Sequence, residues 1–156
     1  MIGICASVYR AFPGHSTYTS VFPDYGDGSA SMADMALDPL SELRSICLSF
    51  PEVTERVSHG EPAWFVRDKK LFVTYADHHH DDRVAFWYAA PEGAQETLVA
   101  SDPHAYFRPP YVGPRGWLGV YLDIDDVDWA AIADLVEDAY RTVAPKTLVA
   151  RLDAGE

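Results

Sequence analysis

The chain has 156 residues, 48% hydrophobic and 13% aromatic, with 12 Lys and Arg against 24 Asp and Glu and a formal charge of −12. That length and apolar content suit one domain with its own core and exclude a wholly disordered chain. The charge excludes a nucleic-acid grip built on overall attraction and leaves only a locally basic face.

Residues 1–36 are rich in Gly, Ser, Tyr and Pro and show neither helical nor strand periodicity. They are expected to form a flexible extension, with a functional tail as the competing reading. Met32 and Met35 stand just ahead of the first structured segment, so the true start is open to lying downstream of Met1.

The folded domain is expected over 37–153. Asp38-Pro39 pairs a capping carboxylate with a first-turn proline, and the helix it starts should run to about Leu48 before Phe50-Pro51 ends it. Four strands follow, at Thr54–Ser58, Ala63–Arg67, Leu71–Tyr75 and Val84–Ala89. They are parted by turns of which Gly60-Glu61-Pro62 and Asp68-Lys69-Lys70 are the clearest. Pro91 should open a helix to about Ala100, closed by Ser101-Asp102-Pro103.

Two more strands are expected at Tyr106-Phe107 and Trp117–Leu122, joined by the turn-rich Pro109–Gly116. Asp126 is expected to cap a last long helix over Val127–Thr142, whose apolar positions Trp129, Ile132, Ala133, Val136, Ala139 and Tyr140 recur at helical spacing. After Pro145, Lys146–Leu152 should form a short terminal helix. The order predicts an α+β fold: a single two-layer domain with an antiparallel sheet of about six strands and helices packed on one face.

Two cysteines, Cys5 and Cys47, offer no CxxC pair, and Cys47 falls in an apolar helical row with Leu43, Ile46 and Phe50. With no signal-peptide pattern and no apolar run long enough for a bilayer, a cytoplasmic protein without membrane contact is expected.

Chemistry-bearing clusters are few. His78-His79-His80-Asp81-Asp82 carries metal-ligand types, but adjacent side chains diverge, and a solvated hairpin tip is the simpler reading. Asp123, Asp125, Asp126 and Asp128 lack the glycine turn and distal glutamate of a calcium loop, and helix capping with the helix dipole accounts for Asp126 and Asp128. His59 and His104 have no evident acid or base partner, and no nucleophile motif or phosphate loop occurs; Gly113–Gly116 precedes a strand, not a helix. No catalytic residue, metal or cofactor is expected. Bases on loops are the remaining signal: Arg67, Lys69 and Lys70 on one hairpin, Arg108 and Arg115 about a second loop, and Lys146 and Arg151 near the end. Aromatics such as Trp64, Trp87, Tyr111 and Trp117 could support stacking beside them.

The segments FPEVTE (50–55), HGEPAWFVRDKKLF (59–72), DPHAYFRPPYVGPRGWLGVYLD (102–123) and AYRTVAPKTL (139–148), in this order and spacing, resemble the MmcQ/YjbR family over residues 40–152. The resemblance implies a small α+β domain related to frataxin-like (CyaY-like) folds, with a double-wing motif and a DNA-binding label. It implies neither enzyme activity nor a cofactor. Read this way, the chain is a non-catalytic binding domain contacting DNA phosphates through Arg67, Lys69, Lys70, Arg115 and Lys146. Two alternatives stand beside it. One is a protein-interaction module using an aromatic sheet face or an edge strand, with a protein partner in place of DNA. The other is a metal protein or enzyme using His59, His78–Asp82 or His104.

Overall fold

The computed structural model describes residues 37–156; the extension 1–36, with Cys5, Met32 and Met35, lies outside the described residues. Helix α1 (Pro39–Leu48) begins as expected: the Asp38 carboxylate accepts from the Ser41 amide at 3.1 Å, and Pro39 needs no donor at the first helical position. Its inward row, Leu43 and Cys47, is fully buried.

Strands β1 (Val53–Ser58), β2 (Glu61–Val66), β3 (Lys70–Asp77) and β4 (Val84–Tyr88) form an antiparallel meander. After α2 (Ala94–Ser101), the chain returns through the two-residue β5 (Tyr106–Phe107) and β6 (Leu118–Tyr121). β6 enters the sheet between β4 and β5, giving the order β1-β2-β3-β4-β6-β5. Helices α3 (Trp129–Val143) and α4 (Lys146–Ala154) close the chain.

Two expected boundaries move. Pro91 does not open α2: the Ala94 amide bonds the Pro91 carbonyl in a turn, and Gly93, at φ 82°, lies off the helical path, so the helix starts at Ala94. The cap of α3 is Asp128, not Asp126. Asp126 takes a left-handed backbone (φ 56°) inside the preceding turn, whereas Asp128 is extended and accepts from the Ala131 amide at 3.0 Å.

Alternation decides the layers. In β4, Phe86 and Tyr88 point to the helices while Trp87 faces the other way. Trp64, Val66, Phe72, Val73, Phe86, Tyr88 and Leu118 meet Leu43, Val136, Tyr140 and Leu148 in one core. β3 carries an extra residue where Trp64 pairs with Val73 but Phe65 pairs with Leu71, a bulge that lets both Phe72 and Val73 reach that core. Each fully buried large side chain contributes about 1.5–3 kcal/mol of transfer free energy.

Two polar anchors tie the helices to the sheet. Tyr140 lays its ring against Phe50 and Phe72 and donates its hydroxyl to the Pro51 carbonyl at 2.9 Å. Glu55 accepts both nitrogens of Arg44 at 2.8 and 2.9 Å and the Trp64 indole N–H at 3.2 Å. The Arg44 bonds hold the Glu55 carboxyl below the usual carboxylate range. No helix among the described residues is long and apolar enough to cross a membrane.

Candidate ligand-binding face

The sheet face turned away from α1, α3 and α4 is where unused side chains gather. Register sets one row across four strands: Thr74 opposite Trp87, Trp87 opposite Gly119, and Gly119 opposite Phe107. Gly119 is required there because the Phe107 ring lies over it, in the space a Cβ would need. Phe107 stacks on Tyr121, with centroids 4.4 Å apart, and the Arg83 guanidinium sits 3.9 Å from the Tyr121 centroid. Asp123 fixes Arg83 through two bonds of 2.6 and 2.7 Å, and these hold the Asp123 carboxyl below its usual range.

Two loops rise over this face. The 78–83 loop, expected as a solvated hairpin tip, is exposed, but it turns inward over the sheet. His80 stacks on Trp87, with centroids 5.5 Å apart and planes at 16°, and leans on Tyr111 at 5.4 Å. His78 is held outside by Asp77, whose carboxylate raises the imidazole pKa above its ordinary value.

The second loop, 108–117, is shaped by a single 3-10 turn at Gly113–Arg115, which ends at Gly116 in a left-handed conformation (φ 84°). Gln95 holds it. This α2 side chain is 5% exposed, and its amide donates to the carbonyls of Gly113, at 2.8 Å, and Trp117. A buried amide that meets two loop carbonyls sets the loop's height above the sheet.

Between the loops is a cavity of about 390 Å³. Trp87 and Trp117 are half-buried in it, Leu71 and Thr74 line it from the sheet, and Tyr111 is 79% exposed. His59, His79, Glu61 and Arg115 supply its polar groups, with His79 3.8 Å from Glu61. A second hollow of about 430 Å³, lined by Phe107, Arg108 and Pro110, shares Ala76, His80 and Trp87 with the first. The stacked His80–Trp87 pair therefore belongs to both.

The five bases expected to contact phosphate do not share one surface. Arg67, at the β2–β3 turn, is bonded to Glu52 at 2.5 Å, and Glu52 also takes Arg151 at 3.0 Å. Lys69 and Lys70 are exposed on the same turn and make no ion pair among the described residues. Lys146 begins α4 in the helical layer, while Arg115 lines the cavity on the opposite sheet face. Arg108 extends its side chain along Gly113, where a Cβ would lie 2.7 Å from its Cγ.

The remaining candidates are structural or isolated. Asp128 caps, Asp123 holds Arg83, and Cys47 is fully buried with its thiol pKa pushed up by desolvation. His104 is exposed beside α2; its amide bonds Asp102, and its ring has no hydrogen-bond partner among the described residues. Among those residues no group of three His, Cys, Asp or Glu side chains is placed to hold a metal ion. Two features of the face had little sequence signal. Gln95 is one polar residue in a short helix, and the inward turn of His79 and His80 depends on loops far apart in the chain.

Comparison with known proteins bears on family and fold. No curated protein matches the chain. The solved structure of Deinococcus radiodurans protein DR2400, a DUF419 domain, is similar with a TM-score of 0.58 at 17% identity, over 74% of this chain and 87% of that one. At that identity the likeness speaks for the α+β fold alone. The YjbR family pattern matches residues 48–142, taking in the whole sheet and most of α3, and the chain belongs to the YjbR family.

Proposed function

We propose that this YjbR domain is a non-catalytic binder whose ligand sits on the open sheet face, in the cavity between the 78–83 and 108–117 loops. One observation carries the reading: a hollow of about 390 Å³ with two half-buried tryptophans and a small set of polar groups. Ligand sites have this character, mostly apolar walls with a few placed polar atoms in roughly 300–1,000 Å³. The face is also built to persist, because Gln95 and the Arg83–Asp123 pair fix its loops with buried or bidentate bonds.

The test is a fragment titration of the full chain followed by NMR. Binders are expected to shift the indole N–H signals of Trp87 and Trp117 and to leave that of the fully buried Trp64 in place. Fragments that bind only elsewhere would refute the site.

A second reading keeps DNA as the ligand, at the β2–β3 turn. It is favoured by Lys69 and Lys70, adjacent, exposed and without an ion pair among the described residues. Arg67 contributes less because Glu52 already neutralises it, and Arg115 and Lys146 lie on other surfaces. Two or three phosphate contacts give a log K against log salt slope of about −2 to −3. A mobility-shift assay with duplex DNA reads this, with Lys69→Glu/Lys70→Glu abolishing the shift; no complex at low ionic strength ends the reading.

A further inference from the structure

The chemistry of the cavity narrows its ligand, granted that the open face is the binding face. We propose that it takes a small planar aromatic or heteroaromatic ring carrying one acidic group, with the ring against Trp87 and Trp117 and the acid at Arg115.

The ring requirement comes from geometry. The His80 imidazole lies nearly parallel to Trp87 and meets Tyr111 at a tilt of 56°, so the wall of the cavity is a run of aromatic rings that offers faces and edges to a further flat group. Trp117 lies on the same face, diagonally across from Trp87, since Trp87 pairs with Gly119 two residues further on. Tyr111, 79% exposed, gains little from the core; over the cavity it supplies an exposed aromatic wall.

The acid requirement comes from charge. Acidic residues outnumber basic ones two to one, and Arg44, Arg56, Arg67, Arg83, Arg141 and Arg151 all have carboxylate partners within 4 Å. Arg108 and Arg115 have no such partner among the described residues, and of the two it is Arg115, exposed, that lines this cavity with Trp87, Tyr111 and Trp117. A guanidinium beside apolar walls gains most from a bound carboxylate or phosphate, which it can grip with two parallel N–H bonds. His59 and His79 add further hydrogen-bonding nitrogens at the polar side. A cationic ligand would face Arg115 directly, and the one lining carboxylate, Glu61, is turned to His79. A single acidic group tolerates the −12 total better than a long polyanion, because distant charges are screened within about 10 Å at ordinary salt.

The test uses the full chain and four probes, read by NMR shifts of the Trp87 and Trp117 indoles. These are 2-naphthoate, uncharged 2-naphthol, ring-free cyclohexanecarboxylate, and adenosine monophosphate, which carries phosphate in place of carboxylate. The proposal expects 2-naphthoate or adenosine monophosphate to bind about tenfold more tightly than 2-naphthol, the better of the two naming the acid, with cyclohexanecarboxylate weaker still. Arg115→Gln should remove that tenfold advantage and leave 2-naphthol binding unchanged, which separates lost charge from lost fold. Equal affinity for 2-naphthol and both acids overturns the acid requirement but keeps the site. Unchanged affinity of the acids in Arg115→Gln overturns the role of Arg115. Absence of any indole response to all four probes overturns both the ligand class and the site.

Discussion

Replacing Gln95 by Leu keeps most of the side-chain volume and removes the amide that clamps the 108–117 loop. Two bonds disappear, to the carbonyls of Gly113 and Trp117, in a position only 5% exposed. The Gly113 carbonyl keeps a bond from the Gly116 amide at 3.0 Å, so its loss is the smaller of the two. At about 1–1.5 kcal/mol per buried neutral bond the variant loses about 2–3 kcal/mol. Unfolding entropy of about 2.1 cal/mol/K per residue, over the roughly 120 residues of the folded part, makes each kcal/mol worth about 4 °C. The expected fall in Tm is therefore about 8–12 °C, measured by circular dichroism melting at fixed protein concentration. Gln95→Glu should fall further at neutral pH, since a carboxylate would face two carbonyl oxygens, and should recover in acid, where its protonated form can donate. A fall below about 3 °C for Gln95→Leu refutes the reasoning, because it means the carbonyls are satisfied without the clamp.

Gly119→Ala places a methyl in the Phe107 ring and should cost about 1–3 kcal/mol in urea denaturation; combined with Phe107→Leu the loss should be less than additive, and simple additivity would mean the two positions do not meet. Tyr140→Phe deletes the hydroxyl bond to Pro51 while keeping the ring stack, and should lower stability by about 1 kcal/mol in the same assay; an unchanged midpoint would show that the bond carries no net stability. On the acid side, Glu55 and Asp123 have folded-state pKa values lowered by Arg44 and Arg83, so the unfolded chain binds protons first. Their contribution is present above the ordinary values of 4.5 and 3.8 and is lost as pH falls through the lower folded-state values. Glu55→Gln and Asp123→Asn should each flatten the acid limb of a stability–pH profile, and unchanged slopes would count against both pairs.

The strands and helices were readable from sequence because alternation and turn chemistry act locally. VAFWY alternates so that Phe86 and Tyr88 face one way and Trp87 the other, and Asp38-Pro39 opens a helix wherever that pair precedes an apolar row. The Asp126–Asp128 shift shows the limit of such reasoning: either carboxylate can cap, and the left-handed turn at Asp126 decides between them. The candidate face was less legible. Which bases remain unpaired depends on acids far away in sequence, as Glu52 shows for Arg67 and Arg151. His80 read as a loop-tip residue until the register brought Trp87 beneath it and the 108–117 loop brought Tyr111 against it. The carboxylates close to it in sequence, Asp81 and Asp82, gave no hint of that stack.

The sheet order has a kinetic consequence. β1 to β4 join by three sequence-local hairpins, whereas β6 reaches β4 only after a connection of about thirty residues has closed. Local pairings form before distant ones, so the meander is expected to assemble first and β5–β6 to dock last. Both large loops then meet only in the final step, and the contacts of His80 with both Trp87 and Tyr111 exist together only once it is complete. Partial opening should run in reverse, releasing β5, β6 and the 108–117 loop while the hairpins hold. In hydrogen exchange, amides of 106–121 should open at lower free energy than those of β2 and β3, so the cavity would vanish before the domain unfolds.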